Sequence, residues 1–214
     1  MIFADDIPDL TAHQHGFPGH WIRTVFMGSA VGETYEGRAL LSTFVRSVEA
    51  ALSYYQSGRN DAFAFTRRKD PTKVPFYEFL RASTSFENCI GHMHIAIRCM
   101  QKIRSKPVVP REIKDLFSAK PGFMHGSVQN TVRNVRDAVQ HGYDKVMDGT
   151  ISEGSAFTLS LSGIETPHPG QSGQTLKTWD RVEVGSHHIR FEDLARWLEE
   201  MGDCAERLAA YSPN

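Results

Sequence analysis

The sequence predicts a mainly α protein, an antiparallel helical bundle with a small C-terminal β-hairpin and a final helix. Three observations lead there. Apolar residues recur at three-and-four spacing through residues 35–56, 76–104 and 128–146, as they do where one face of a helix is buried. The pattern then changes to alternation at Phe157, Leu159 and Leu161. Helical spacing returns with Phe191, Leu194, Leu198, Met201, Ala205 and Leu208.

Taken in order, residues 1–33 hold Gly, Pro and three histidines without a helical period, and are expected to form an irregular arm or a short strand. His13, His15 and His20 lack acidic or cysteine ligands at a recognisable spacing, so they read as solvated loop residues rather than a metal cluster. The first helix places Leu41, Phe44, Val45, Val48, Leu52 and Tyr55 on one face, and Ser57-Gly58 supplies an expected stop. Residues 59–75, with Arg67-Arg68-Lys69 and two prolines, read as a loop whose basic triplet is a candidate phosphate contact, with a solvated charge run the favoured reading.

The second helix carries Phe79, Phe86, Ile90, Met93, Ile97 and Met100, and Pro107 marks its end. His92 and His94 stand two apart, so they leave it in different directions and read as ordinary partly buried or surface residues. A short helix follows Pro110, and Pro121-Gly122 breaks the chain before the third long helix, which Gly149 stops. Residues 155–190 then read as a hairpin with a polar tip at 163–174, bracketed by Gly154 and Gly163 on its first strand. Such a sheet is too small to stand alone and should lie against the helices, giving a single domain over 1–214.

Composition narrows the function classes. With 40% hydrophobic and 23% charged residues the chain reads as an ordinary globular protein. Its 24 Lys+Arg against 25 Asp+Glu leave a net charge of -1, so any nucleic-acid contact needs a local basic patch. Cys89, Cys99 and Cys204 form no Cys-x-x-Cys pair and read as reduced thiols. The N-terminus lacks a signal-peptide pattern and no apolar run reaches about 18 residues, so a cytoplasmic protein without membrane contact is expected. The ten histidines include no His-Glu-x-x-His, which leaves a metal-dependent hydrolase without sequence support.

The helix over 128–146 concentrates the chemistry. Val128, Val132, Val135, Val139 and Val146 form its apolar stripe, with Gly142 filling a gap, while Arg133, Arg136, Asp137, Gln140, His141 and Asp144 occupy the other side. At about 100° per residue, Arg136 and His141 point roughly 140° apart, so one helix cannot close both on a small substrate. Asp137 and His141, four apart, share a face, where a carboxylate favours the charged imidazole.

Arg136-Asp-Ala-Val-Gln-His141 fits Arg-x(4–6)-His with a polar residue directly after the arginine, and it lies on a late helix after two long helices and a short one. In these features the chain resembles the HEPN superfamily of small helical-bundle proteins. The resemblance implies a metal-independent endoribonuclease, toxin- or defence-like, or a non-catalytic RNA-binding, nucleotide-binding or protein-interaction relative. It also implies a homodimer, RNA as substrate, no cofactor and, for a toxin, a cognate antitoxin.

Arg136 and His141 would be catalytic, Asp137 would orient His141, and Arg133 and Gln140 would contact phosphate or sugar. Transesterification of RNA needs a base, an acid and positive charge at the phosphorane, which histidine and arginine supply near neutral pH. Two copies facing each other across a two-fold axis could pair each arginine with the other copy's histidine. A second match, Arg181 to His187, falls in the hairpin and reads as chance.

Overall fold

The computed structural model describes residues 1–13, 16–22, 34–67, 76–107, 109–117, 119–153 and 156–211. His15, Arg68 and Lys69 lie outside these. Strand β1 (Ile2–Asp5) and a short helix α1 (Pro18–Trp21) precede two long helices, α2 (Tyr35–Thr66) and α3 (Phe76–Ser105). A short α4 (Arg111–Leu116) leads to α5 (Gly126–Met147). Strands β2 (Ser160–Pro167), β3 (Thr175–Val184) and β4 (His187–Arg190) follow, and α6 (Phe191–Ala210) ends the described chain. The protein is therefore mainly α, with a small sheet and a final helix.

Helix α2 starts where the Thr34 hydroxyl accepts the Gly37 amide at 3.0 Å, a side-chain cap. It continues well beyond the expected stop, so residues 59–66 are helical rather than loop. The reason lies at Gly58, where a Cβ would come within 3.0 Å of the Phe86 ring on α3. This glycine admits a neighbour's aromatic ring instead of freeing the backbone to turn, and burial of Ala62 beyond it keeps the helix going.

Helices α2 and α3 are antiparallel. Tyr54 stacks on His92, Tyr55 meets the edge of Phe86, and Phe65 approaches Phe79 near the far end. Helix α5 lies antiparallel on α3 in turn, with Gln101 donating to Gln129 at one end and Tyr143 donating to Glu87 at the other. Helix α6 closes the core through Phe191, whose ring lies 4.9 Å from that of Phe86.

Among the described residues the sheet has four strands, not a lone hairpin. Strand β3 is central: β2 pairs antiparallel along one edge, while β1, parallel, and β4, antiparallel, share the other. The N-terminal segment thus enters the sheet and is tied to α2 beyond it. Tyr55 donates its hydroxyl to the Pro8 carbonyl at 3.0 Å, and Arg59 Nε donates to the Ile7 carbonyl at 3.0 Å.

Phe157, expected in the first strand, is exposed and precedes it. Gly163, expected beyond that strand, sits inside it at a register shift, where a Cβ would lie 1.7 Å from the Thr178 oxygen. Opposite, Asp180 has no partner between Arg181 and Trp179, a β-bulge that lets Trp179, Val182 and Val184 all be buried despite their uneven spacing.

Candidate functional site

Helix α5 is seated by buried Val132, Val135 and Gly142, with Val128 and Val139 partly covered. Val146, expected in the same stripe, is exposed as the helix end leaves the core. At Gly142 a Cβ would lie 2.7 Å from Phe157 Cα and 2.8 Å from its carbonyl oxygen, so the backbone after α5 crosses directly over this glycine. Glu87 of α3 holds that crossing in place. Its carboxylate accepts the Tyr143 hydroxyl at 2.8 Å and the Leu159 amide at 2.9 Å. Burial, and then the same carboxylate, push the Tyr143 phenol up to about 12.

The five residues singled out on α5 occupy different surroundings. Arg136 Nη1 pairs with Asp137 Oδ1 at 2.9 Å. His141 is 74% exposed, and its carboxylate neighbour is Asp144, with Nδ1 at 3.8 Å from Oδ2. Asp137 therefore restrains Arg136 and does not orient His141 as expected. Gln140 donates to Asp144 at 3.3 Å, and Arg133 donates to Asn130 at 3.1 Å. Arg136 and Gln140 line a groove of about 290 Å³ against α3, together with Glu87, Asn88, Gly91 and Tyr143. His141 is not part of the lining of this groove, in keeping with the wide angle between it and Arg136.

A histidine on the neighbouring helix, His94, lies near enough to Arg136 to feel its charge. It stands on α3 and lines a second groove of about 270 Å³ with Arg98, Gln101, Lys102, Gln129 and Arg133. Burial holds its imidazole below the ordinary histidine range, and Arg136, Arg98 and Arg133 push it the same way; Asp137 opposes them. Among the described residues Arg98, Lys102 and Arg133 form no ion pair. Gln129 bridges the groove floor, its Oε1 accepting from Gln101 at 2.6 Å and its Nε2 donating to the Met124 carbonyl at 2.5 Å. His92 leaves α3 on the opposite side, stacked on Tyr54 at 5.6 Å, and burial followed by Arg46 lowers its pKa.

Sequence reasoning passed over His94, although His94, Arg98 and Lys102 at four-residue intervals form a legible basic stripe. Arg181, of the second Arg-to-His match, lies on β3 held by Asp180 at 3.6 Å and Glu183 at 3.5 Å, while His187 starts β4. Among the described residues no three or more His, Cys, Asp or Glu side chains come together as a metal site. The three cysteines are buried free thiols. None of the described helices is long and apolar enough to cross a membrane. No protein-family model matches this chain, and no curated protein or solved structure matches it significantly.

Proposed function

We propose that this chain is a HEPN-like, metal-independent endoribonuclease whose Arg136 and His141 act in a composite site formed by two copies. The observation that supports the reading is their presentation: both are exposed on α5, yet they point too far apart to meet on one substrate within a chain. A second copy across a two-fold axis would bring the partner's histidine to the Arg136 side and repeat the arrangement in reverse. Arg136 would neutralise the phosphorane, and His141 would move a proton between the 2′-hydroxyl and the leaving oxygen. The toxin- or defence-type role, the cognate antitoxin and the cytoplasmic setting belong to the same reading.

The test is cleavage of single-stranded RNA in chelator by the purified protein. His141→Ala and Arg136→Ala should each remain folded and lose cleavage, and mixing the two variants should restore part of it, because one composite site per mixed dimer keeps both groups. Cleavage by His141→Ala at the parent rate would remove the assignment.

A non-catalytic RNA-binding or protein-interaction module is the second reading. It is favoured by the pairing of Arg136 with Asp137, which already satisfies one edge of the guanidinium. That reading predicts association without cleavage under any condition.

A further inference from the structure

We infer that the groove between α3 and α5 around His94 is a phosphate-binding subsite, complete within one chain, that holds the backbone of single-stranded RNA. Arg98 and Lys102 approach from α3 and Arg133 from α5, on facing helices of an antiparallel pair. Like charges across a seam repel one another, and among the described residues none of the three is neutralised by an ion pair. Such an arrangement is relieved by an anion placed between the helices, where guanidinium groups can hold phosphate oxygens with two parallel hydrogen bonds.

The rest of the lining suits a nucleic-acid strand better than a carboxylate-rich peptide. Beyond their bonds to each other and to Met124, the Gln101 and Gln129 amides keep a second N–H each, and Gln101 keeps its Oε1, so that ribose hydroxyls and base edges can both donate and accept here, whereas a carboxylate side chain only accepts. The half-buried His94 imidazole stands at the same level, close enough to Arg136, Arg98 and Arg133 to feel their charge. The groove would give a chain whose net charge is only -1 the local basic patch that RNA binding needs.

This inference rests on the RNA-directed reading for its ligand but not on cleavage. The experiment therefore uses the full chain carrying His141→Ala, so that the probe survives, and follows anisotropy of a fluorescein-labelled oligouridylate over a salt series. With three phosphate contacts the slope of log affinity against log salt should be about -2, roughly a 16-fold loss between 50 and 200 mM salt. Adding Arg98→Gln and Arg133→Gln should flatten the slope to about -0.7, roughly a 3-fold loss over the same range.

A second readout is the His94 imidazole proton signal, assigned by its loss in His94→Gln. Inorganic phosphate should move its titration midpoint upward in the parent and leave it in place in the Arg98→Gln, Arg133→Gln background. Unchanged RNA affinity in that background would overturn the subsite, as would displacement of the RNA by polyglutamate at equal concentration. Groove-dependent binding by a parent protein that never cleaves RNA would keep the subsite and remove the ribonuclease reading. Cleavage that is indifferent to Arg98 and Arg133 would do the reverse.

Discussion

Two helical glycines should respond to alanine with opposite sign. Replacing an interior helix glycine by alanine ordinarily stabilises by about 0.5–1 kcal/mol, because the unfolded chain loses freedom and the helix gains propensity. At Gly91 in α3 a Cβ meets nothing within 4 Å, since the position opens onto the groove lined by Arg136 and Gln140. Gly91→Ala should therefore keep the whole gain, and with about 2–4 °C per kcal/mol for a chain of this size its Tm should rise by roughly 1–4 °C.

At Gly142 in α5 the same methyl would lie 2.7 Å from Phe157 Cα and 2.8 Å from its carbonyl oxygen. Both are backbone atoms of a segment pinned two residues later by the Leu159 amide on Glu87, so no side chain can swing away. Overpacking of this kind costs about 1–3 kcal/mol, and loosening the charge-assisted Leu159 bond would add about 1.5–3 kcal/mol. The clash outweighs the propensity gain, leaving about 1.5–5.5 kcal/mol of destabilisation and a Tm roughly 3–22 °C lower. Circular dichroism melts of the two variants and the parent decide it. A Gly142→Ala protein as stable as the parent would refute the close crossing of α5 by the chain that follows it.

Gly163→Ala should also destabilise, by about 3–5 kcal/mol, because the Thr178 oxygen 1.7 Å from the new methyl would force β2 off β3 at the bulge; denaturant midpoints measure it. Stability should also fall as pH drops below about 6.5. His92 and His94 both have folded pKa values lowered by burial, so the unfolded chain takes up protons more readily there. The loss grows through the window between the unfolded value and the lowered folded one. Urea midpoints between pH 7.5 and 5.5 should show this fall, with a shallower fall for His92→Gln, His94→Gln.

The long helices were legible because their burial is one-sided and continuous: α3 follows its apolar stripe from Phe79 to Met100, and α5 does so from Val128 to Gly142. The misplaced end of α2 shows where local signals stop being sufficient. Ser57-Gly58 carries the chemistry of a helix terminus, and only the Phe86 ring on a different helix shows why glycine stands there. In the sheet, the Asp180 bulge shifts the side-chain phase between Trp179 and Val182, so a strict two-residue period misses the central tryptophan. Strand β1 was hidden for another reason. Its four residues gain their meaning from parallel pairing with β3, some 174 positions away along the chain, which no local pattern carries.

The candidate site divides in the same way. The polar face of α5 and the divergence of Arg136 from His141 follow from helix geometry alone, and the two residues lie in separate surroundings on the folded chain. What spacing within one helix could not supply is the neighbour across the seam. Asp137, four residues from His141, turns instead to the arginine beside it, because an adjacent guanidinium at 2.9 Å competes successfully for its carboxylate. The place of a nearby histidine beside Arg136 is taken by His94, 42 positions earlier in the chain and brought alongside by the antiparallel packing of α3 on α5. A linear motif names residues that share a helix. The electrostatics of this groove are set by residues that share a seam, and the charges there, Arg98 against Arg133, are the ones whose removal should be felt first by an anionic ligand.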